Sequence, residues 1–355
     1  MRYVNFLVML LISSIGCSAT ADISKPNVIL LMLDGVRWQE FFHGSDPLLD
    51  LGVNEPKIFK YIKSTIGNGS FISGDRKNGS EATISNTRLI SLPAYQSIMA
   101  GKTTACKFNS CGRISVETLQ ENILTKLNLQ KTEVATIASW DEILNAVEHQ
   151  EGRTFVNAGV REVREGVVDS TTVLLNKKQK EDSPSWDGRK DEYTFAHAIN
   201  YLKNNKPRFL FISLNDSDEW AHKGNYPQYI STLKGYDDKI KNLFDTLNEM
   251  DDYGRSTTVI ITTDHGRGNG NSWGGHGTGT PESKYIWIYG RNPGKNLMNG
   301  SNKTSKSNRV EQKNGVGAGG YTHLDIRPTI EKLLGLAPLQ CEGCGKVIQE
   351  LIVAP

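Results

Sequence analysis

Seven side chains carry the elements of one chemistry: Asp34, Ser91, Asp218, His222, Asp264, His265 and His276. Three carboxylates brought together would repel one another, and two divalent metal ions would cancel that repulsion. Three histidines beside them favour zinc, or another transition metal, over calcium or magnesium. Asp218 and His222 are four residues apart, so a helical turn puts them on one face. Asp264 and His265 are adjacent, and strand alternation would send them to opposite faces. They share a site only where a strand dissolves into a loop, as Gly266 permits. Ser91 leads the segment Ser91-Leu92-Pro93-Ala94-Tyr95-Gln96-Ser97-Ile98-Met99-Ala100. Pro93 predicts the first turn of a short helix through Ala100. Ser91 then stands at a helix N-terminus, where free N–H groups and the dipole favour an anion. A metal-bound serine hydroxyl loses its proton more readily and becomes a nucleophile. The plainer role is a helix N-cap, and the metal-type residues elsewhere tip the balance to nucleophile.

These residues meet only if particular elements bring them together. Asn27–Leu33 (NVILLML) is a continuous apolar run, as expected of a strand buried on both faces. Phe209–Leu214 (FLFISL), residues 258–263 (TVIITT) and 285–289 (YIWIY) repeat the pattern, and residues 133–138 do so more weakly. Helical periodicity marks residues 115–129, 192–203 and 229–250. Residues 325–334 form a last amphipathic helix, with Pro328 in its first turn and Gly335 at its end. This alternation predicts an α/β fold, a mostly parallel central sheet with helices on both faces. In such sheets ligands bind beyond the carboxyl ends of the strands. Asp34 follows the first run, Asp218 and His222 the second, and Asp264 and His265 the third; His276 lies in the Gly-rich loop before the fourth. The polar stretches 176–190 and 292–314 read as surface loops.

The chain has 355 residues, 37% of them hydrophobic and 23% charged, with mean hydropathy −0.42. That excludes a disordered or polytopic membrane protein. A net charge of +2 without basic clusters leaves no nucleic-acid footprint. Arg2, the apolar run 4–15 and Ala19-Thr20-Ala21 form a secretory signal over residues 1–21, with Asp22 first in the mature chain. The run is too short to span a bilayer, so no membrane span is expected after its removal. Residues 22–355 are then one catalytic domain with loop insertions, exported to a periplasm or secreted. Lipidation at Cys17 ranks second, because Ser14 stands where an apolar residue is usual. The remaining cysteines form two close pairs, Cys106/Cys111 and Cys341/Cys344, read as structural disulfides ahead of a half zinc site or a redox motif. Sequons begin at Asn68, Asn78, Asn215, Asn299 and Asn302.

In order and spacing, the chain from Asn27 to about Gly335 resembles the alkaline phosphatase superfamily, nearest its nucleotide pyrophosphatase/phosphodiesterase branch. Leu31-Met32-Leu33-Asp34-Gly35-Val36-Arg37-Trp38 looks like that branch's opening metal motif, and Ser91-Leu92-Pro93 like its Thr-Phe-Pro nucleophile. Asp218-Glu219-Trp220-Ala221-His222 matches its Asp-x-x-x-His pair, with Ala221 in place of Gly. Thr263-Asp264-His265-Gly266 matches its Asp-His-Gly motif, and Gly275-His276-Gly277 the segment of its last metal histidine. The resemblance implies an alkaline-phosphatase-like fold. It implies one metal on Asp34, Ser91, Asp264 and His265 and another on Asp218, His222 and His276, zinc being favoured. It also implies a small phosphoester substrate, a phosphoseryl intermediate on Ser91 and net retention at phosphorus. Ala94 departs from the branch, which carries there an Asn that helps hold the phosphoryl oxygen. A sulfatase is disfavoured, because neither Cys106, Cys111 nor Ser91 has that group's Arg context. A phosphotransferase and a metal-retaining binding protein without turnover are the competing functions. Oligomeric state is left open. His323 competes with His276 as last ligand, a capping or supporting role being more ordinary for it. His43, His149 and His197 read as surface or packing histidines, Trp38, Phe41 and Phe42 as core, and Lys102 and Arg113 as ordinary loop charges.

Overall fold

The computed structural model describes residues 25–49, 51–66, 69–182, 186, 188–294 and 320–352. The leader, Cys17 and the sequons at Asn68, Asn299 and Asn302 lie outside them, as do residues 295–314 of the second polar stretch. The apolar run at the start is β1 (Asn27–Leu33), buried at every position. Its alternate side chains feed two separate cores: Ile29, Leu31 and Leu33 on one side, Val28, Leu30 and Met32 on the other. A strand covered on both faces has no polar face to show, which is why it reads as a continuous run. β2 (Ser70–Ser73), β3 (Ala82–Thr83), β4 (Val134–Ala138), β5 (Phe155–Ala158), β6 (Phe209–Leu214), β7 (Thr257–Thr262), β8 (Ile288–Arg291) and β9 (Tyr321–Thr322) follow. The main sheet has seven strands in the order β2-β8-β7-β1-β6-β4-β5. Only β8 runs against its neighbours; β7, β1, β6, β4 and β5 are parallel. β3 and β9 form a small parallel pair.

Helices α1 (Trp38–His43), α2 (Lys60–Thr65), α3 (Ser91–Ala100), α4 (Leu119–Lys126), α5 (Leu144–Val147) and α6 (Ser170–Glu181) lie in the first half. The second half has α7 (Asp191–Asn205), α8 (Asp216–His222), α9 (Tyr226–Asn248), α10 (Asp251–Arg255) and α11 (Ile326–Leu333). Leu92, Tyr95, Ile98 and Met99 of α3 pack with α4, α5 and α11 in one core. α7 and α9 supply the other through Phe195, Leu202, Tyr229, Leu233 and Ile240. The α/β architecture expected from the alternating pattern is the one found. Among the described residues no helix is long and apolar enough to cross a membrane.

Three local readings change. The stretch 176–190 is not all loop, because α6 continues to Glu181. Asn176 and Gln179 are buried there, Asn176 exchanging two hydrogen bonds with the Val163 backbone at 2.9 Å. Polar residues on a buried face erase the apolar period. The helix expected over 115–129 starts at Leu119, because Thr118 and Glu121 form a capping box. The strand expected over 285–289 joins the main sheet only from Ile288; after a 3₁₀ turn over Pro281–Lys284, Tyr285 instead makes an isolated antiparallel bridge to Thr83 of β3. Both cysteine pairs are bonded, with Cα–Cα distances of 5.5 and 5.2 Å. Of the described sequons, Asn78 is exposed and Asn215 is buried, so Asn215 has no room for a glycan.

Candidate metal centre

Three adjacent strands, β7, β1 and β6, end level with one another. Asp34 continues β1, its N–H bonded to Leu214 O of β6 at 2.9 Å. The turn after it needs Gly35, whose φ is +63° and whose added Cβ would meet Asp218 Oδ1 at 2.6 Å. Gly35 N–H donates to Asp264 Oδ1 (3.0 Å) and Val36 N–H to Thr263 Oγ1 (3.2 Å), tying the β1 and β7 ends together. Gly266 is required by space, since a Cβ there would lie 2.3 Å from Tyr285 O. α8 brings Asp218 and His222 onto one face, and Ser217 Oγ holds it against the site by donating to Asp34 O at 2.6 Å. α3 begins at Ser91 itself; Ile90 is the N-cap residue and no side chain caps it. The N-cap reading of Ser91 is therefore replaced: it is the first helical residue, buried, with its hydroxyl directed elsewhere.

That hydroxyl lies 3.2 Å from His265 Nε2. The same nitrogen is 3.3 Å from Asp264 Oδ2, 3.7 Å from Asp34 Oδ1 and 3.9 Å from Asp218 Oδ1. His265 Nδ1 donates to Gly266 O at 2.9 Å and His276 Nδ1 to Leu89 O at 3.0 Å. A carbonyl can only accept, so each ring carries its proton on Nδ1 and turns an Nε2 lone pair into the site. The two rings stack, centroids 3.9 Å apart. His276 Nε2 is 3.0 Å from His222 Nε2, which is 3.1 Å from Asp218 Oδ2. Donor atoms of Asp34, Asp264 and His265 lie within 4.8 Å of one another, as do those of Asp218, His265 and His276. All seven expected residues thus gather at one sheet edge. His265 stands between the two groups rather than belonging to one of them. His222 is half-exposed at the mouth, while Asp34, Asp264 and His265 are buried.

The electrostatics fit divalent cations. Asp34 Oδ1 and Asp264 Oδ2 are buried and accept no hydrogen bond. Burial first, then the Asp264 charge, pushes the Asp34 carboxyl well above the usual carboxylate range, against the pull of the Tyr95 hydroxyl. Burial pushes His265, His276 and His222 down, so all three are neutral, the ligating form. Neutral imidazole lone pairs aimed at carboxylate lone pairs repel unless a cation lies between them. A buried charge left without a partner costs several kcal/mol, roughly 3–5 when a pair is broken.

Two further residues belong to the site. Tyr95 OH donates to Asp34 Oδ2 at 3.0 Å and sits 2.9 Å from Ser213 Oγ. It is four residues after Ser91 on the same helix, so the i, i+4 spacing was its signal. Arg267 is fully buried and its guanidinium contacts Asp218, while donating to Gly35 O (3.0 Å) and to the Gly274 carbonyl. No pattern in the sequence separates it from other arginines beyond its place two residues after His265.

His323 bonds to the segment before Ser91. Its Nε2 meets Asn86 Oδ1 at 2.7 Å and its Nδ1 accepts from Ser85 N–H at 3.2 Å, so both nitrogens are used. His43 bonds Asp75, His149 the Ile114 carbonyl and His197 Gln179. Phe41 stacks on Trp287 in the core (3.6 Å between centroids), and Trp38 is buried beside it. Arg113 holds the Leu144 and Glu148 carbonyls.

The profile of the Metalloenzyme superfamily matches residues 65–336, more than half of the chain and every site residue except Asp34. No curated protein matches in sequence. Among solved structures, the phosphonate monoester hydrolase of Agrobacterium radiobacter is similar with a TM-score of 0.54 at 11% identity, over 92% of this chain and 77% of that one. A 2-O GAG sulfatase gives 0.54 at 15% identity, over 92% and 74%. A protein of the alkaline phosphatase superfamily from Vibrio parahaemolyticus gives 0.52 at 13%, over 88% and 67%. At these identities the likeness is one of fold. With the family profile covering most of its length, the chain belongs to the metalloenzyme superfamily, the alkaline-phosphatase-like proteins.

Proposed function

We propose that the protein is an exported phosphoester hydrolase that uses two divalent metal ions, zinc favoured, and Ser91 as its nucleophile. The observation that carries the reading is the Ser91 hydroxyl 3.2 Å from an imidazole nitrogen that faces Asp34 Oδ1 and Asp264 Oδ2, two buried carboxylate oxygens that accept no hydrogen bond. Asp34, Asp264, His265 and Ser91 would hold one ion, and Asp218, His222 and His276 the other. The ions would supply charge neutralisation for the attacking and leaving oxygens of an in-line displacement.

The chain's own residues do the rest. Tyr95 and Gly35 N–H fix the Asp34 and Asp264 carboxylates, and the Gly266 and Leu89 carbonyls fix the two imidazoles. Ser91 loses its proton to solvent as its Oγ bonds to phosphorus and the leaving oxygen departs, taking a proton from solvent. Water then cleaves the Oγ–phosphorus bond, giving phosphate or its monoester and returning the hydroxyl. Two in-line inversions give net retention. Export is supported by two disulfides, which persist in oxidising compartments, and by the leader-like start of the sequence.

The test uses the chain from Asp22, loaded with zinc, against p-nitrophenyl phosphate, bis-p-nitrophenyl phosphate and p-nitrophenyl sulfate. Phosphoester turnover that disappears in Ser91→Ala supports the reading. Turnover of the sulfate ester alone identifies a sulfatase, metal binding without any turnover a binding protein, and turnover only with an added alcohol acceptor a transferase.

A further inference from the structure

α8 carries Asp218 and His222, yet Asn215, its N-cap residue, does not cap it with a side chain. The free N–H groups of a buried helix start need acceptors, and here two other helices supply them. Asp191, the first residue of α7, is buried. Its Oδ1 accepts from Asn215 N–H and its Oδ2 from Asp216 N–H, both at 2.8 Å. Asp216 Oδ2 returns the bond, accepting from Asp191 N–H at 3.3 Å. Tyr236 OH, on α9, accepts from Ser217 N–H at 3.1 Å and donates to Asp191 Oδ2 at 2.5 Å. Ser139, just past β4, donates to Asp191 Oδ1 at 2.5 Å. Two backbone N–H groups and two hydroxyls thus converge on one buried carboxylate.

The network reaches the metal-type residues by two paths. Asn215 O accepts from Asp218 N–H at 3.0 Å, so the bond from Asp191 fixes the turn that carries Asp218. Ser217 Oγ donates to Asp34 O at 2.6 Å, so the bond from Tyr236 fixes α8 against the end of β1. None of the four groups that donate to Asp191 is itself a candidate ligand. Asp34, Asp264 and His265 need no such help, because they continue strands of the sheet. Asp218 and His222 stand outside the sheet on a helix of seven residues. We propose that Asp191 is a positioning residue, setting the approach of Asp218 and His222 to the ion they share with His276. The inference rests on the reading of those three residues as ligands of one ion. Metal affinity depends on groups that hold the ligands in place nearly as much as on the ligands themselves. Loss of the Asp191 carboxylate therefore weakens one ion and spares the other.

Calorimetric titration of the metal-free chain from Asp22 with zinc reads the two ions separately, beside Tm and circular dichroism. Asn at 191 keeps the shape but turns an NH₂ group toward one of the donors. The expected result for Asp191→Asn is a loss of about 10–100-fold in affinity for one zinc, with the other unchanged. In a His276→Ala background, which leaves the Asp34 ion, adding Asp191→Asn changes nothing further in zinc affinity. Glu148→Gln is the structural control. Buried Glu148 accepts from Gly152 and Thr154 N–H at 3.0 and 2.6 Å in a segment that carries no site residue. That variant lowers Tm and leaves both zinc affinities alone. Tyr236→Phe, which removes only the hydroxyl between Asp191 and Ser217, weakens the same zinc as Asp191→Asn and decides the matter if that variant does not fold. Two zinc ions bound with wild-type affinity in Asp191→Asn, or in Tyr236→Phe where only it folds, would overturn the inference and leave the metal reading standing. Equal weakening of both ions would reduce Asp191 to a structural residue and overturn it likewise. A wild type that binds no zinc would overturn the metal reading, and this role with it.

Discussion

His265 Nε2 is the atom on which the site turns, because its other nitrogen is committed to Gly266 O and it faces Asp34, Asp264, Asp218 and Ser91 at once. On the proposed reading, Ser91→Ala keeps its metal and loses at least about 10³-fold in turnover, as removal of a nucleophile does; elemental analysis beside kinetics checks both halves. His276→Ala is expected to lower bound metal, and His323→Ala to leave it unchanged. His323→Ala instead strands Ser85 N–H and Asn86, at a cost of about 1–3 kcal/mol for a buried unsatisfied group, measurable by denaturant titration. The reverse pattern in metal content would exchange the two histidines. The candidate site residues were legible in sequence because Asp34, Asp264 and His265 directly follow apolar runs, Asp218 and His222 stand four apart just beyond another, and His276 sits in a Gly-rich turn. Arg267 was not legible, since nothing in a sequence says that an arginine will be fully buried against Asp218.

Two glycines with similar backbones separate space from strain at the scale of the element. Gly35 (φ +63°) has Asp218 Oδ1 2.6 Å and Arg267 Nη2 2.7 Å from where a Cβ would be. Gly52 (φ +71°) has nothing within 4 Å. Gly35→Ala should therefore lose metal affinity and activity together, whereas Gly52→Ala should cost only the left-handed backbone penalty of about 1–2 kcal/mol with activity intact. Equal effects of the two substitutions would show that the β1 turn does not position Asp218. The strands that carry the site were readable because burial on both faces leaves a continuous apolar run. The short strands β2 and β5 were not, having four residues each and no run to mark them. α6 escaped because its inward face uses Asn176 and Gln179, and α4 began late because the Thr118 capping box outweighed upstream periodicity.

Across the whole molecule, buried neutral histidines set the acid limit. Burial holds His323 at about 3, and burial with the Arg189 charge holds His197 at about 3, against 6.5 for a free histidine. Both folded values are depressed, so the unfolded chain binds more protons below pH 6.5. Stability is then fully present above about 6.5 and falls as pH drops toward 3, by up to about 1.4 kcal/mol per pH unit for each histidine. Urea melts from pH 7 to 4 check this, and the slope should shrink in His197→Gln. The wider architecture was legible because alternating runs and helical periods leave few ways to build a sheet. The network that seats α8 was not, since it joins residues 24, 45 and 183 apart in the chain. The most direct test of the account is anomalous diffraction at the zinc edge from metal-loaded crystals. Two peaks about 4 Å apart, one against Asp34, Asp264 and Ser91 and the other against Asp218, His222 and His276, are the predicted result. No peak at this sheet edge, or ions away from Ser91 Oγ, would contradict it.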